Sequence, residues 1–436
     1  MTANPPPPRL RNRVLSSGGW SLARTAITAT TQFATLIVLL RLLETEDFGE
    51  LSVVMVVLTL TQAFTQTGVD LALVRERGEI TRFLNPFFSL QVIRGAALGA
   101  VVALAAYPMA LWQGAPVLAE YLLLASLVPI LEGLRGVSAL VYLRNLDQKV
   151  PTIIEGSCAI LSLISLTLLA LWLRSPWAVL INQLFATGLR SLSYHLVGTR
   201  SRFTKDLKPL RPFFRFGVGY NLAQTSGTLI DTLDRLLIGR HLGLSQLGLY
   251  DRSVTLANYG LYLLPQFYST VVVPAFAGLL NDRAQFWRVA RKFLLWVSFG
   301  GAVLAGLVRV FDTVVLSLVA GEKGDDLLPF FRILLLCAVL RGISWLATGM
   351  LDVLGRPQLR AVINAVHAAV VVIGLAIVLP YGELWAACVV VAVGGGLSTI
   401  LALCFLWRQV PRAGSADSAQ EAATSHGRER ISSARS

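Results

Sequence analysis

Twelve apolar stretches run through this chain, and they constrain its fold more than any other feature. An apolar helix needs about 20 residues to cross roughly 30 Å of hydrocarbon. Charged residues make up only 14% of the chain, against roughly 25% in a soluble domain. The pattern predicts an all-α membrane protein of about twelve transmembrane helices. The predicted spans are Gly18–Leu40, Phe48–Gly68, Ser89–Leu111, Pro116–Gly136, Pro151–Leu173, Trp177–Val197, Phe216–Gly239, Leu247–Leu280, Phe293–Ala320, Leu327–Leu351, Ala361–Leu379 and Leu384–Trp407.

The basic residues lie mainly in every second connection between these spans. If the N-terminus is cytoplasmic, the inner segment Gly198–Arg215 alone carries six basic residues. The basic residues of the outer connections are only Arg41, Arg174, Arg240 and Lys323. This bias follows the positive-inside rule and predicts that both termini are cytoplasmic. Short loops that face anionic lipid headgroups then explain the formal charge of +13, so nucleic acid is not predicted as a partner.

The chain lacks the sequence signatures of common catalytic and metal sites. Its cysteines fall inside predicted spans without metal-ligand spacing, and His195, His241 and His367 are scattered. There is no G-x-x-x-x-G-K-[ST] loop of the kind that holds the phosphates of ATP. No connection between spans is long enough for a soluble catalytic domain. We therefore predict no enzymatic activity, no catalytic residue, no metal and no cofactor.

An internal repeat divides the chain into two halves. The connections after spans one and seven match without a gap at Arg41 with Arg240, at Leu43 with Leu242 and at Gly49 with Gly248. Each half then holds six helices, and an even number returns the chain to its starting side, so the halves have the same orientation. We predict two like-oriented six-helix bundles around a central cavity. The predicted boundaries are a cytoplasmic segment at 1–17, bundles at 18–205 and 206–410, and a disordered cytoplasmic tail at 411–436.

Charged residues inside the spans are the candidates for a binding site. Each costs roughly 2.5–3.5 kcal/mol at a helix centre unless it faces a wet cavity or a partner. Arg24, Arg94 and Arg190 all lie toward the cytoplasmic side of the first bundle, and Arg341 lies midway through span ten. Because arginine binds phosphate bidentately, the first three are predicted to receive a pyrophosphate. Arg94 and Arg190 are also close enough to the inner interface to snorkel, so that interpretation stays open.

Three acidic residues inside the spans are candidates for ion coupling: Glu155, Asp231 and Asp234. Asp231 lies four residues before Arg235 on one helix face, so a structural pair between them is an alternative. Glu155 either pairs with a basic residue or carries a proton. The sequence does not choose between these interpretations.

Two segments of the repeat also resemble a known family. Leu40-Arg-Leu-Leu followed by Asp47-Phe-Gly resembles the A-R-x-L-G-P-x-x-F-G turn of polysaccharide flippases, which include O-antigen flippases. These flippases belong to the multidrug/oligosaccharidyl-lipid/polysaccharide exporter superfamily. Asp234–Gly243, followed by Leu247-Gly-Leu-Tyr, is similar to the same family's segment between helices seven and eight, and Val273-Pro-Ala-Phe fits the end of helix eight. One departure is that Glu44 and Thr45 stand where the family usually has Gly-Pro.

The resemblance implies an oligosaccharide flippase of the bacterial inner membrane that works by alternating access. Its expected substrate is a polyprenyl-diphosphate-linked oligosaccharide for O-antigen or exopolysaccharide synthesis. Its expected partners are membrane lipids and the polysaccharide polymerase or export machinery. A multidrug exporter of the same superfamily is one alternative, but an organic-cation site would favour intramembrane carboxylates. A membrane-embedded glycan ligase or polymerase is another, and it would need a substantial outer domain.

Overall fold

The protein is almost entirely helical in the computed structural model, which describes residues 8–65, 69–76, 80–145, 147–199, 201–214, 228, 232–259, 276, 278–279 and 282–409. No strand occurs among these residues, which confirms the predicted all-α class. The helices are α1 (Pro8–Leu42), α2 (Thr45–Thr65), α3 (Val69–Arg75), α4 (Thr81–Gln113), α5 (Val117–Ala125), α6 (Leu127–Gly133), α7 (Ser138–Arg144), α8 (Lys149–Leu173), α9 (Pro176–Val197), α10 (Leu233–Leu242), α11 (Leu244–Tyr259), α12 (Arg283–Val310), α13 (Asp312–Ala320), α14 (Gly324–Val353), α15 (Pro357–Val378) and α16 (Leu384–Arg408).

The described helices identify a multi-pass membrane protein. Eight of the helical segments are long and apolar enough to cross a membrane, and one bent pair would make a ninth. Large apolar side chains such as Leu104, Leu168 and Trp172 are exposed on these helices, as lipid-facing residues would be. The predicted spans seven and eight fall mostly on residues outside the described part. The predicted count of twelve is consistent with this architecture.

Two predicted spans are interrupted in the structure. The predicted fourth span, Pro116–Gly136, contains a break after Ala125. The predicted ninth span, Phe293–Ala320, lies too far along the chain. The corresponding helix, α12, begins at Arg283 and ends at Val310. At that break the buried Asp312 accepts hydrogen bonds from Arg309 Nη1 at 2.9 Å and Arg332 Nε at 2.7 Å. Mean hydropathy over a long window changes little at such a charge cluster. It therefore does not reveal the helix break that the cluster accompanies.

The described chain forms two compact units. The first is formed by the described residues within Met1–Ser253, Thr313–Phe330 and Gly374–Ala387, and the second by those within Val254–Asp312, Phe331–Ile373 and Cys388–Ser436. In the first unit α1 packs on α8, α8 packs on α9, and α4 packs on α5 and α6. In the second unit, aromatic and aliphatic side chains of α12, α14, α15 and α16 form a buried cluster. The predicted division into bundles at 18–205 and 206–410 stays a prediction, and the predicted tail 411–436 lies outside the described residues.

Candidate functional site

A cavity of about 480 Å³ lies within the first unit, on the predicted cytoplasmic side. Its volume falls in the roughly 300–1,000 Å³ range of small-molecule sites. The walls come from the first part of α1, the break after α6, α7, the start of α8 and the end of α9. The lining residues are Ser17, Gly18, Ser21, Arg24, Arg135, Ala139, Leu143, Gln148, Pro151 and Tyr194.

A broken helix places Arg135 in this cavity. The segment Val117–Gly133 and the helix α7 are bent by 52° at the non-helical residues between them. Gly136 lets this break approach α9 closely, because a Cβ atom there would lie 2.7 Å from the carbonyl oxygen of Tyr194. Irregular backbone at membrane depth is tolerated where it lines a cavity, and transporter sites are typically built on such discontinuous helices.

The Arg135 guanidinium is held by two neighbours. Its Nη2 donates a hydrogen bond to Glu155 Oε1 at 3.0 Å, and its Cζ lies 4.4 Å from the centroid of the Tyr194 ring. Tyr194 Oη donates to the same Glu155 oxygen at 3.0 Å. Arg190 Nε lies 3.4 Å from Glu155 Oε2, which is an ion pair without hydrogen-bond alignment. One carboxylate from α8 therefore gathers two arginines and a tyrosine.

Arg24, from α1, lines the same cavity as Arg135 and Tyr194. Thr152 Oγ1 donates to the carbonyl oxygen of Trp20 at 2.9 Å, which fixes α1 against α8 one turn before Arg24. Among the described residues, none forms a hydrogen bond or an ion pair with the Arg24 guanidinium. We call Arg24, Arg135, Glu155, Arg190 and Tyr194 the cationic cluster. Three guanidiniums and one carboxylate leave it with two net positive charges.

Two of the predicted arginines lie outside this cluster. Arg94, on α4, interacts electrostatically with Asp70 and Glu132 and does not line the cavity. Arg341 lies on α14 in the second unit, where a Cβ atom on Gly395 would come within 3.4 Å of its Cγ. The structure therefore places Arg24 in the lining of the cavity and Arg190 against Glu155, while Arg94 and Arg341 are not among the lining residues. A role for these two in binding substrate stays a prediction.

The predicted acidic residues have different surroundings. Glu155 pairs with arginines, which is one of the two interpretations that the sequence left open. Asp234 is buried and accepts hydrogen bonds from Tyr250 Oη and from the backbone N–H of Arg235. Asp231, the alternative partner of Arg235, lies outside the described residues; the Arg235 side chain donates to Asp251. Ion coupling by any of the three acidic residues stays a prediction.

Sequence reasoning missed Arg135, although a signal was present. The apolar segment that carries it is interrupted by Gly133 and Gly136, so the charge sits at a helix break. Glycine-interrupted hydrophobic segments are the best sequence indication of a transporter's binding site. The predicted fourth span ends at Gly136, which puts Arg135 at a helix end and not in the interior of the span.

The two repeated turns contact each other on the predicted outer side of the first unit. A Cβ atom on Gly49 would lie 1.9 Å from the carbonyl oxygen of Leu244, and one on Gly248 would lie 1.8 Å from that of Thr45. Leu244 is the repeat equivalent of Thr45, so the two contacts are reciprocal. Such a self-complementary contact is what a two-fold axis produces. We call this pair of turns the outer closure, and only glycine allows their backbones to approach so closely.

A buried arginine crosses the outer closure, and a half-buried lysine pairs with its first turn. Arg252 is 1% exposed, stacks on the Phe48 ring at 4.4 Å, and donates to the Leu43 carbonyl at 2.8 Å and to Thr45 Oγ1 at 3.2 Å. Lys323 Nζ pairs with Glu44 Oε1 at 3.0 Å. Glu44 and Thr45 stand where the flippase motif has Gly-Pro. Thr45 accepts a hydrogen bond from Arg252 and so helps to join the two turns, while Glu44 ties the first turn to Lys323.

Replacing Arg252 with methionine is expected to weaken the outer closure. The change keeps a long side chain but removes two charge-assisted hydrogen bonds, at about 1.5–3 kcal/mol each. We expect a Tm lower by several degrees in thermal unfolding of the purified protein. Arg240→Met, an exposed arginine of the neighbouring turn, is the control and should leave the Tm unchanged. Equal Tm values for both variants would show that Arg252 does not hold the turns.

Comparison with known proteins identifies a matching family and two related proteins. Residues 38–329 match the family model described as "Polysaccharide biosynthesis protein". The succinoglycan biosynthesis transport protein ExoT of Rhizobium meliloti (strain 1021) is 27% identical over 269 residues, which cover 61% of this chain and 54% of that protein. The lipopolysaccharide biosynthesis protein WzxC of Escherichia coli (strain K12) is 24% identical over 351 residues, which cover 77% and 69% of the two chains. The chain thus spans about half the length of ExoT.

Solved structures share the fold. Lipid II flippase MurJ, in an inward closed conformation, is similar with a TM-score of 0.71 and 14% identity, and the match covers 90% of this chain and 88% of MurJ. A multidrug resistance MATE family transporter of the MOP superfamily, in an inward-facing conformation, has a TM-score of 0.63 and 14% identity over 89% of this chain and 98% of that one. At these identities the likeness shows the fold and does not separate a lipid-linked substrate from a drug.

Proposed function

Because the chain belongs to the polysaccharide biosynthesis protein family, we propose that it moves a polyprenyl-diphosphate-linked oligosaccharide from the cytoplasmic to the outer leaflet of the bacterial inner membrane. The product would serve surface polysaccharide synthesis, as the names of its relatives indicate for those proteins. The observation that carries the proposal is the cationic cluster beside the cavity. Its two net positive charges match the two ionised phosphates of a diphosphate diester.

The cluster and the outer closure have complementary roles in this proposal. Arg24 and Arg135 bind the diphosphate from the cytoplasmic side, since guanidinium groups bind phosphate oxygens bidentately. The outer closure keeps the opposite side shut while the headgroup enters. Alternating access then requires the repeated turns around Gly49 and Gly248 to separate. The prenyl tail remains in the lipid throughout, and an ion gradient, the membrane potential or consumption of the product drives the cycle.

A multidrug exporter is the weaker candidate. The net positive charge of the cationic cluster would repel an organic cation, and Glu155, its carboxylate, is already paired with Arg135 and Arg190. No feature of the described residues favours a glycan ligase or polymerase. The flippase therefore agrees best with both the family and the charge of the cavity.

Deletion of the gene tests this function. We expect polyprenyl-diphosphate oligosaccharide to accumulate on the cytoplasmic leaflet and surface polysaccharide to fall to background, because the donor lipid no longer reaches the outer leaflet. Complementation with the wild-type gene is the control. Unchanged surface polysaccharide together with new sensitivity to cationic drugs would contradict the proposal and favour the multidrug exporter.

The proposed orientation is tested by thiol labelling at exposed positions. An impermeant thiol reagent should label Asp325→Cys and Tyr381→Cys in intact spheroplasts, since both lie in predicted outer connections. Lys205→Cys and Gln358→Cys should react only after permeabilisation. These side chains are all exposed, so labelling depends on the side of the membrane and not on burial. Labelling of Lys205→Cys in intact spheroplasts would contradict cytoplasmic termini.

A further inference from the structure

The carboxylate of Glu155 contacts three polar side chains. Oε1 accepts from both Arg135 and Tyr194, and Oε2 faces Arg190. Its side chain is 19% exposed and lies two turns into an apolar helix, where an ionised group is costly to keep. Because this carboxylate lies beside the cavity, it would affect the binding of a phosphate ligand there.

The bond from Arg135 to Glu155 uses a group that phosphate would also use. A guanidinium binds an oxyanion bidentately through a fork of two N–H groups, and each fork includes one Nη2 hydrogen. Nη2 of Arg135 is bound to Glu155, and its Nε is buried without a hydrogen-bond partner among the described residues. A diphosphate that binds through the fork formed by Nη2 and Nε competes with Glu155 for Nη2, whereas one that binds through Nη1 and the second Nη2 hydrogen does not.

We propose that Glu155 is an internal counter-anion, which holds Arg135 while the site is empty and is displaced from it by the diphosphate of the substrate. This inference rests on the proposed function. Glu155 keeps its contacts to Arg190 and Tyr194 during the exchange, so its charge is not left alone when Arg135 turns to the phosphate. When the substrate leaves, Arg135 returns to Glu155 and avoids becoming an unpaired charge in a low-dielectric site.

The exchange also sets the affinity of the site. With Glu155 the cluster has two net positive charges, and without it the cluster would have three. A transporter must bind its cargo well enough to capture it and weakly enough to release it on the other side. Competition from Glu155 therefore favours release, and it makes the site specific for a ligand with enough charge to displace a carboxylate. A diphosphate meets that requirement better than a monophosphate.

Glu155→Gln provides the direct test, with geranyl diphosphate as a soluble probe and geranyl monophosphate beside it. Binding is measured on purified full-length protein in nanodiscs of a zwitterionic lipid. We expect the Kd for geranyl diphosphate to fall about tenfold in the variant, because an uncharged amide competes poorly for Arg135. The Kd preference for the diphosphate over the monophosphate should shrink at the same time.

Glu132→Gln is the matched control. It removes the same charge from a half-buried carboxylate of α6 that does not line the cavity, so the Kd of this variant should stay within about twofold of wild type. If Glu155→Gln is not recovered in folded form, Glu155→Ala makes the same test. Alanine has no side-chain amide that would need hydrogen-bond partners.

The outcomes separate the two proposals. A wild-type protein that binds geranyl diphosphate, with weaker or equal binding by Glu155→Gln, would overturn the counter-anion and leave the flippase standing. It would mean that Glu155 only anchors Arg135. A wild-type protein and a variant that both fail to bind would overturn the diphosphate site itself, and the counter-anion with it.

Discussion

Arg135→Ala is expected to abolish export of surface polysaccharide, to less than about a tenth of the wild-type level, because losing one partner of a charged contact costs about 2–5 kcal/mol. Arg24→Ala should have the same effect with membrane abundance near normal, since no described residue pairs with its guanidinium. Arg24→Lys and Arg135→Lys should rescue only in part, because an ammonium group does not reproduce the fork of donors. The measurements are surface polysaccharide per cell and the amount of protein in the membrane.

The control is Arg202→Ala. Arg202 is an exposed arginine of the inner connection and does not line the cavity, so export should stay normal. Normal export by both Arg24→Ala and Arg135→Ala, at normal abundance, would remove the cationic cluster from the substrate path.

Gly248→Val is expected to open the outer closure. The new side chain would overlap the Thr45 backbone, where even a Cβ atom would lie 1.8 Å from the carbonyl oxygen. The reporter is Leu43→Cys, a fully buried position in the turn, in a background without the four native cysteines. Its reaction with an impermeant thiol reagent added from outside should rise about tenfold or more, which corresponds to a shift of about 1.4 kcal/mol toward the open state. Export should fall, because the closed state is less populated.

Gly49→Val should behave in the same way, since Gly49 makes the reciprocal contact with Leu244. Gly300→Val is the matched control, because a Cβ atom at Gly300 meets no atom within 4 Å. Continued protection of Leu43→Cys in Gly248→Val, together with normal export, would show that the turns do not form a gate.

The helical class and the repeat could be predicted from the sequence because both depend on composition and spacing. A membrane allows only structures that satisfy their own backbone hydrogen bonds, so long apolar stretches become helices with little ambiguity. The match between Gly49 and Gly248 was also visible in the sequence. The structure adds the reason for glycine there, which is the close approach of each turn to the other.

The pairings of the site could not be predicted in the same way. Glu155 binds Arg135, twenty residues before it, and Arg190, thirty-five residues after it. These partners are chosen by the packing of α8 on α9 and by the bend before α7, which hydropathy does not encode. Sequence reasoning therefore identified Arg24 and Arg190 as candidates but left the partner of Glu155 open and missed Arg135.

Translocation in proteoliposomes tests the central claim most directly. Purified protein would be reconstituted with a fluorescent polyprenyl-diphosphate oligosaccharide, and the fraction of label accessible to an impermeant quencher would be followed over time. We predict that the wild-type protein exchanges the labelled lipid between leaflets, while the Arg24→Ala, Arg135→Ala double variant behaves like protein-free liposomes. Equal exchange by the double variant and the wild type, or no exchange by the wild type, would contradict the account.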